Sequence, residues 1–234
     1  MISYTGYGLG DEVSVVAGVG SNSTAHSLEM TERATEVGAD SLLLVSPYYN
    51  KPTQAGLVAH CRAVADATEL PIMLYDIPGR TGIPFATDTL VELAEHPRIQ
   101  AVKDAKGDLA AASRVMAATD YLWYSGEDAL NLPLLALGAV GVVSVVGHVT
   151  GRQHRELIEA VDAGDLARAR EIHERLIPVI DAIMTTSQGA IMAKAALVEL
   201  GVIDSAHVRL PLVEGPAEHL EILRAGLAAS GVTA

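Results

Sequence analysis

The chain is poor in cysteine, aromatic residues and basic charge. Its 234 residues include one cysteine, one phenylalanine and one tryptophan. With Cys61 alone no internal disulfide can form, and without a Cys-x-x-Cys pair a zinc ribbon has no ligands. This usage is expected of a protein in the reducing cytoplasm. The 16 Lys and Arg residues stand against 29 Asp and Glu, for a net charge of −13. Such a surface repels a phosphate backbone or an anionic bilayer, so neither nucleic acid nor a membrane is an expected partner. No apolar run approaches the roughly 20 residues of a membrane span. The N-terminus has no basic segment leading into an apolar stretch, so no secretion signal is expected. The histidines are scattered without an HExxH spacing, and no metal site is expected. The stretch GVGSNS (18–23) begins like a dinucleotide fingerprint, but Ser23 stands where the third glycine should fall.

What is present is periodic. Six short β-rich runs, Val13–Ala17, Ser41–Val45, Pro71–Tyr75, Ile99–Lys103, Tyr121–Ser125 and Gly141–Val146, alternate with helical patterns such as Thr24–Val37, Gln54–Thr68 and Thr87–His96. The runs are nearly continuous in apolar residues, as strands covered on both faces are. Parallel-sheet α/β architecture follows, either doubly wound or a TIM barrel, and a closed barrel needs eight such units. From Gly151 the strand signals stop. An Ala-, Leu- and Glu-rich stretch broken at Gly164-Asp165, Ser187-Gln188-Gly189 and Arg209–Pro216 predicts three or four helices. Residues 1–150 are therefore expected to form the (β/α) part and 151–234 a C-terminal helical region. The glycine-rich first dozen residues have no assignable period.

In parallel α/β proteins ligands bind at the C-terminal ends of strands, so the residues where each apolar run stops are the candidates. Tyr48, Tyr49, Tyr75, Arg80 and Lys103 all fall there. Lysine closes a buried strand badly, because its ammonium loses hydration. Held among apolar walls, such an amine can lose its proton and attack a carbonyl to form a Schiff base. Phenols nearby can carry the protons of imine formation, and the fork of an arginine suits a substrate carboxylate. Each has an ordinary alternative: a solvated strand end for the lysine, amphipathic packing for the tyrosines, a turn cap at Pro78-Gly79 for Arg80. Their coincidence on one rim favours a site. Glu127-Asp128 is expected to cap the helix that follows it, and Cys61 to be a small buried hydrophobe within a helix.

These residues also carry a resemblance. SPYYNKPTQ (46–54), YDIPGRTG (75–82), VKDAKGD (102–108), YSGEDAL (124–130) and GVVSV (141–145) resemble, in order and spacing, the dihydrodipicolinate synthase branch of the pyruvate-dependent class I aldolases, the group that includes N-acetylneuraminate lyase. The resemblance implies a TIM barrel with a C-terminal helical region. It implies condensation of pyruvate with aspartate-semialdehyde in the diaminopimelate and lysine pathway, with no cofactor beyond a covalent lysine–pyruvate imine. Lys103 resembles the imine-forming lysine, Tyr75 the proton-relaying tyrosine beside it, and Tyr49 the tyrosine that reaches a neighbouring subunit, which implies a homodimer or homotetramer. Arg80 is similar to the arginine that binds the semialdehyde carboxylate. Gly126 and Val143 match positions lining the pyruvate pocket. Asn22 and Tyr48 match residues of the lysine feedback site, where His26 replaces the glutamate of lysine-sensitive members, so feedback is not expected. The family's first two strands, with a Gly-Thr-Thr-Gly-Glu motif, have no counterpart, Thr5-Gly6 being too slight a match. Six of eight βα units, an N-terminal truncation and impaired turnover are expected. The alternatives are a sister class I aldolase acting on keto-sugar acids and an inactive oligomerising remnant.

Overall fold

The structure is a computed structural model that describes residues 13–233; Met1–Glu12, with Thr5-Gly6, lies outside the described residues. Six strands are hydrogen-bonded in chain order, β1 (Val16–Gly18), β2 (Ser41–Val45), β3 (Ile72–Asp76), β4 (Ile99–Asp104), β5 (Leu122–Ser125) and β6 (Gly141–Val142). Pairing from β1 through β4 is parallel. This is the (β/α) pattern of the TIM-barrel type, six units long. The described chain groups into two compact units, the first ending at Tyr124 and the second beginning at Ser125.

In the first unit, α1 (Thr24–Glu36) follows β1, α2 (Gln54–Asp66) follows β2, and α3 (Pro78–Thr81) and α4 (Thr87–Leu93) follow β3. Helix α5 (Leu109–Ala118) follows β4. Their starts obey capping chemistry, in which a side-chain oxygen takes one of the orphan N–H groups of the first turn. Ser23 accepts from His26, Thr53 from Gly56 and Asp108 from Ala111. Ser23, out of place in a dinucleotide fingerprint, is a helix cap. The core between strands and helices is filled by Leu42, Leu44, Leu57, Leu74, Val102 and the single phenylalanine, Phe85, all without solvent exposure. Cys61 packs there too, and burial pushes its thiol up to about 12. Gly20 is required by close approach. A Cβ there would lie 2.6 Å from the Val45 backbone nitrogen and 2.8 Å from its carbonyl oxygen, distances no real Cβ tolerates.

The second unit is mainly helical. After a single 3-10 turn (Asp128–Leu130) and α6 (Asn131–Leu137) come β6 and then α7 (Gly147–Asp162), α8 (Leu166–Met184), α9 (Gly189–Glu199) and α10 (Ala217–Ala229). The four last helices break at the three places where Gly, Ser, Asp and Pro cluster in the sequence. Leu157, Ile172, Leu176, Val179, Ile183 and Met192 are among the fully buried core residues of this unit. Helices α8 and α10 meet at Gly226, where an added Cβ would stand 2.6 Å from that of Ala182. Among the described residues no single helix is long and apolar enough to cross a membrane.

β1, β5 and β6 are shorter than their sequence runs, and β6 the most. The apolar run Gly141–Val146 has a ladder only at Gly141–Val142, because the N–H groups of Val145 and Val146 donate instead to the Asp128 carboxylate, at 3.1 and 3.2 Å. Apolar periodicity reports burial on both faces, and a buried turn tied by a side chain satisfies it as well as a strand does.

Candidate active site

Parallel pairing of β3 with β4 places Tyr75 opposite Lys103 and Asp76 opposite Asp104. Successive residues of a strand point to opposite faces, so one face carries the phenol and the amine while the other carries the two carboxyls. Lys103 is 8 % exposed, and its Nζ lies 4.1 Å from the centroid of the Tyr75 ring, within cation–π reach. An amine drawn out of water and held over a phenol ring is poised for carbonyl chemistry in a way that a solvated strand end is not.

Tyr75 is also the link to the rest of the rim. A cavity of about 520 Å³ is lined by Tyr48, Tyr49, Tyr75 and Arg80, with Val45 and Ile77 as apolar wall. Lys103 is outside that lining and adjoins it through the Tyr75 ring. Arg80 stands on the short helix α3, where its N–H closes the turn at Pro78-Gly79 and its side chain lines the cavity. Pro78 sets the first turn, the Ile77 carbonyl accepts from the N–H groups of Arg80 and Thr81, and Gly82 ends the helix at φ +88°. The stem of Lys51 covers Gly82 so closely that a Cβ would meet its Cε at 2.8 Å.

The loop after β2 holds Tyr49 in a left-handed conformation, φ +74°, with its side chain 89 % exposed, and Lys51 at φ +44°. Non-glycine residues reach that region at a cost of about 1 kcal/mol each, so the loop spends conformational energy to present a phenol outward. Asn50 ties it back by donating from Nδ2 to the carbonyl of Asn22 at 2.9 Å. Asn22 thus meets this loop through its backbone. His26 sits in the first turn of α1, exposed, with Nδ1 3.1 Å from Glu29. Gly126 and Val143 belong to the second unit, where the Val143 N–H donates to the Ser125 carbonyl at 2.7 Å.

Two groups of residues were not legible beforehand as partners. Asp128, read as a helix cap, is 2 % exposed, and Glu127 at the cap position makes no side-chain capping bond. Its carboxylate instead accepts from the Ser144 hydroxyl, the N–H groups of Val145 and Val146, and more distantly Asn131 Nδ2 at 3.4 Å. His154 Nε2 lies 3.6 Å from the same carboxylate, while burial holds the imidazole below its ordinary range against the upward pull of Asp128. Ser144 and His154 open onto a cavity of about 730 Å³ that also meets His148, Arg155 and Glu159. The second group is Asp76, Asp104 and Lys106. A signal existed for it: each carboxyl immediately follows a rim residue on a strand, and period-two alternation sends it to the opposite face. Among the described residues no group of three or more His, Cys, Asp or Glu side chains could hold a metal ion.

Fold and rim together define a (β/α) chain of the TIM-barrel type with a lysine buried at the end of its fourth strand. Residues 1–230 match the model of the family described as the dihydrodipicolinate synthetase family. The 4-hydroxy-tetrahydrodipicolinate synthase of Kineococcus radiotolerans is 55 % identical over 224 residues, covering 96 % of this chain and 73 % of that protein. Among solved structures, a DHDPS from Cyanidioschyzon merolae with lysine bound is 45 % identical with a TM-score of 0.90, over 94 % of this chain and 74 % of that one. The dihydrodipicolinate synthase of Acinetobacter baumannii, chloride-inhibited and complexed with pyruvate, is 37 % identical with a TM-score of 0.94, over 99 % of this chain and 79 % of that one. The chain belongs to the dihydrodipicolinate synthetase family.

Proposed function

We propose that the chain condenses pyruvate with aspartate-semialdehyde, in the pathway to diaminopimelate and lysine, through an imine on Lys103. The observation that carries this reading is the buried Lys103 amine set over the Tyr75 ring. The pyruvate complex of the relative from Acinetobacter baumannii and the synthase from Kineococcus radiotolerans support the substrate class.

The amine attacks the ketone carbon of pyruvate, and loss of water gives the imine. The imine withdraws electrons from the adjacent methyl carbon, which loses a proton to become a nucleophilic enamine, and this adds to the aldehyde. Tyr75, in contact with the amine, is the group best placed to pass protons during these steps, and Tyr49 extends the relay toward a neighbouring subunit of a homodimer or homotetramer. The guanidinium of Arg80, facing the same cavity as both tyrosines, holds the semialdehyde carboxylate in a two-pronged hydrogen bond. Arg80 favours the semialdehyde over a keto-sugar acid. Gly126 and Val143 match the family positions that line the pyruvate pocket. No cofactor enters this chemistry, because the imine formed on the lysine is itself the electron sink.

Borohydride reduction in the presence of pyruvate tests the reading. The expected result is a peptide containing Lys103 heavier by one reduced pyruvate, absent without pyruvate and absent in Lys103→Ala. A folded chain that gains no mass overturns it. Turnover with aspartate-semialdehyde, measured on the same preparation, then separates an imine-forming chain from a complete catalyst, and Arg80→Ala is expected to raise KM for the semialdehyde far more than for pyruvate.

A further inference from the structure

On the opposite face of β3 and β4 from Tyr75 and Lys103 lies a buried polar cluster that the proposed reaction does not use. Asp76 and Asp104 are in-register partners, 2 % and 3 % exposed. Asp76 Oδ1 accepts the N–H of Phe85 at 3.2 Å, and Asp104 Oδ1 accepts the N–H of Lys106 at 2.8 Å. The Lys106 ammonium donates to the Phe85 carbonyl at 3.2 Å, closing a ring from β3 through the segment after α3 to β4. The N–H of Ala105 continues the strand ladder by donating to the Asp76 carbonyl at 2.9 Å. The space the cluster encloses is about 10 Å³, too small for any ligand. It is a lock, not a site.

Its charges do not balance when both carboxyls are ionised, because among the described residues Lys106 is the one cation that acts on both. The other polar groups around them are the Trp123 indole on β5, Thr87 on α4 and the exposed Asp108 at the start of α5; the rest of the lining is apolar. A buried carboxyl pair in such surroundings keeps a proton.

We infer that Asp76 and Asp104, bonded to the N–H groups of Phe85 and Lys106 and closed by the Lys106–Phe85 bond, are positioning residues that hold the ends of β3 and β4 at the spacing that keeps the Lys103 amine over the Tyr75 ring. The catalytic consequence rests on the imine chemistry proposed above; the mechanical one does not. Burial pushes Asp76 up to about 7, with Lys106 pulling it down and Asp104 pushing it further up, and burial raises Asp104 as well. Above that pH the Asp76 proton leaves to solvent and a second negative charge is buried beside Asp104.

The test uses the full chain and the variants Asp76→Asn and Asp76→Ala, with two readouts. Amide exchange protection at Phe85, Ala105 and Lys106 reports the lock directly. The rate of pyruvate-dependent borohydride trapping on Lys103, followed from pH 6 to 9, reports its effect. The wild type is expected to lose protection and trapping rate on the alkaline side. Asp76→Asn, which keeps the oxygen that Phe85 needs but cannot ionise, is expected to abolish that alkaline loss. Asp76→Ala is expected to lose protection at every pH and to trap on the order of tenfold more slowly. Wild-type protection in a folded Asp76→Ala, or an alkaline loss unchanged in Asp76→Asn, overturns the inference. If Asp76→Ala does not fold, the Asp76→Asn profile decides. If the wild type traps no pyruvate, the imine reading fails while the protection of Asp76→Asn against wild type still decides the lock.

Discussion

Two regions of this chain bury an aspartate almost completely and use it in opposite ways. At the turn after β6, Asp128 is met by the Ser144 hydroxyl, two backbone N–H groups and an asparagine amide, so burial is compensated by donors. At the ends of β3 and β4, the Asp76 carboxyl accepts the Phe85 N–H, and the Lys106 ammonium and the Asp104 carboxyl act on it only through their charge. Exposure is the same, 2 % in each case. Donor supply, not depth, decides whether a buried carboxyl becomes an anchor for loose backbone or a store for a proton.

The largest disturbance of that contrast is expected from Asp128→Ala, which strands a hydroxyl and two N–H groups in the interior. A loss of about 3 kcal/mol or more in urea unfolding should follow. Asp128→Asn should cost less, about 1–3 kcal/mol, because the amide keeps one acceptor but turns an NH₂ group toward donors. Ser144→Ala deprives the N–H of Gly147, 2.6 Å away, of its partner and Asp128 of one donor, and about 1 kcal/mol is expected. Asp76→Asn should be the mildest, and its effect should depend on pH. The Asp76 carboxyl is raised from 3.8 to about 7 in the folded chain. Between those values the unfolded chain has released a proton that the folded chain keeps, so wild-type stability falls as pH rises through this window. The asparagine variant lacks that slope, and thermal unfolding at pH 4 and pH 8 should show the difference between the two proteins moving in the variant's favour with rising pH.

Much of the frame could be read from residues alone. Ser41–Val45 coincides with β2 as observed, and the breaks at Gly164-Asp165 and Ser187-Gln188-Gly189 separate helices in the structure, because glycine, proline and capping residues act locally. The rim was legible as a set of strand ends, since parallel α/β topology assigns their side of the sheet. Contacts across elements were not legible. Nothing in GVVSVV announces that a carboxylate sixteen or more residues earlier will take its N–H groups, and so its last residues were read as strand and Asp128 as a cap. The left-handed backbone of Tyr49 was equally hidden, because no glycine or asparagine at that position signals it. The helical turn that carries Arg80 ends at Gly82 in a left-handed conformation beneath the Lys51 stem, a contact between elements that the sequence does not announce.

The fit of Gly20 against Val45 sets a sharp limit on how this chain can vary. A saturation library at position 20 should return glycine alone among folded clones, because the obstacle is main chain and no rotamer change clears it. Gly18, two residues earlier, faces nothing within 4 Å among the described residues and should accept alanine or serine. Two glycines of one motif, a single residue apart, would then show opposite tolerance, one fixed by the shape of its neighbour and the other free to drift.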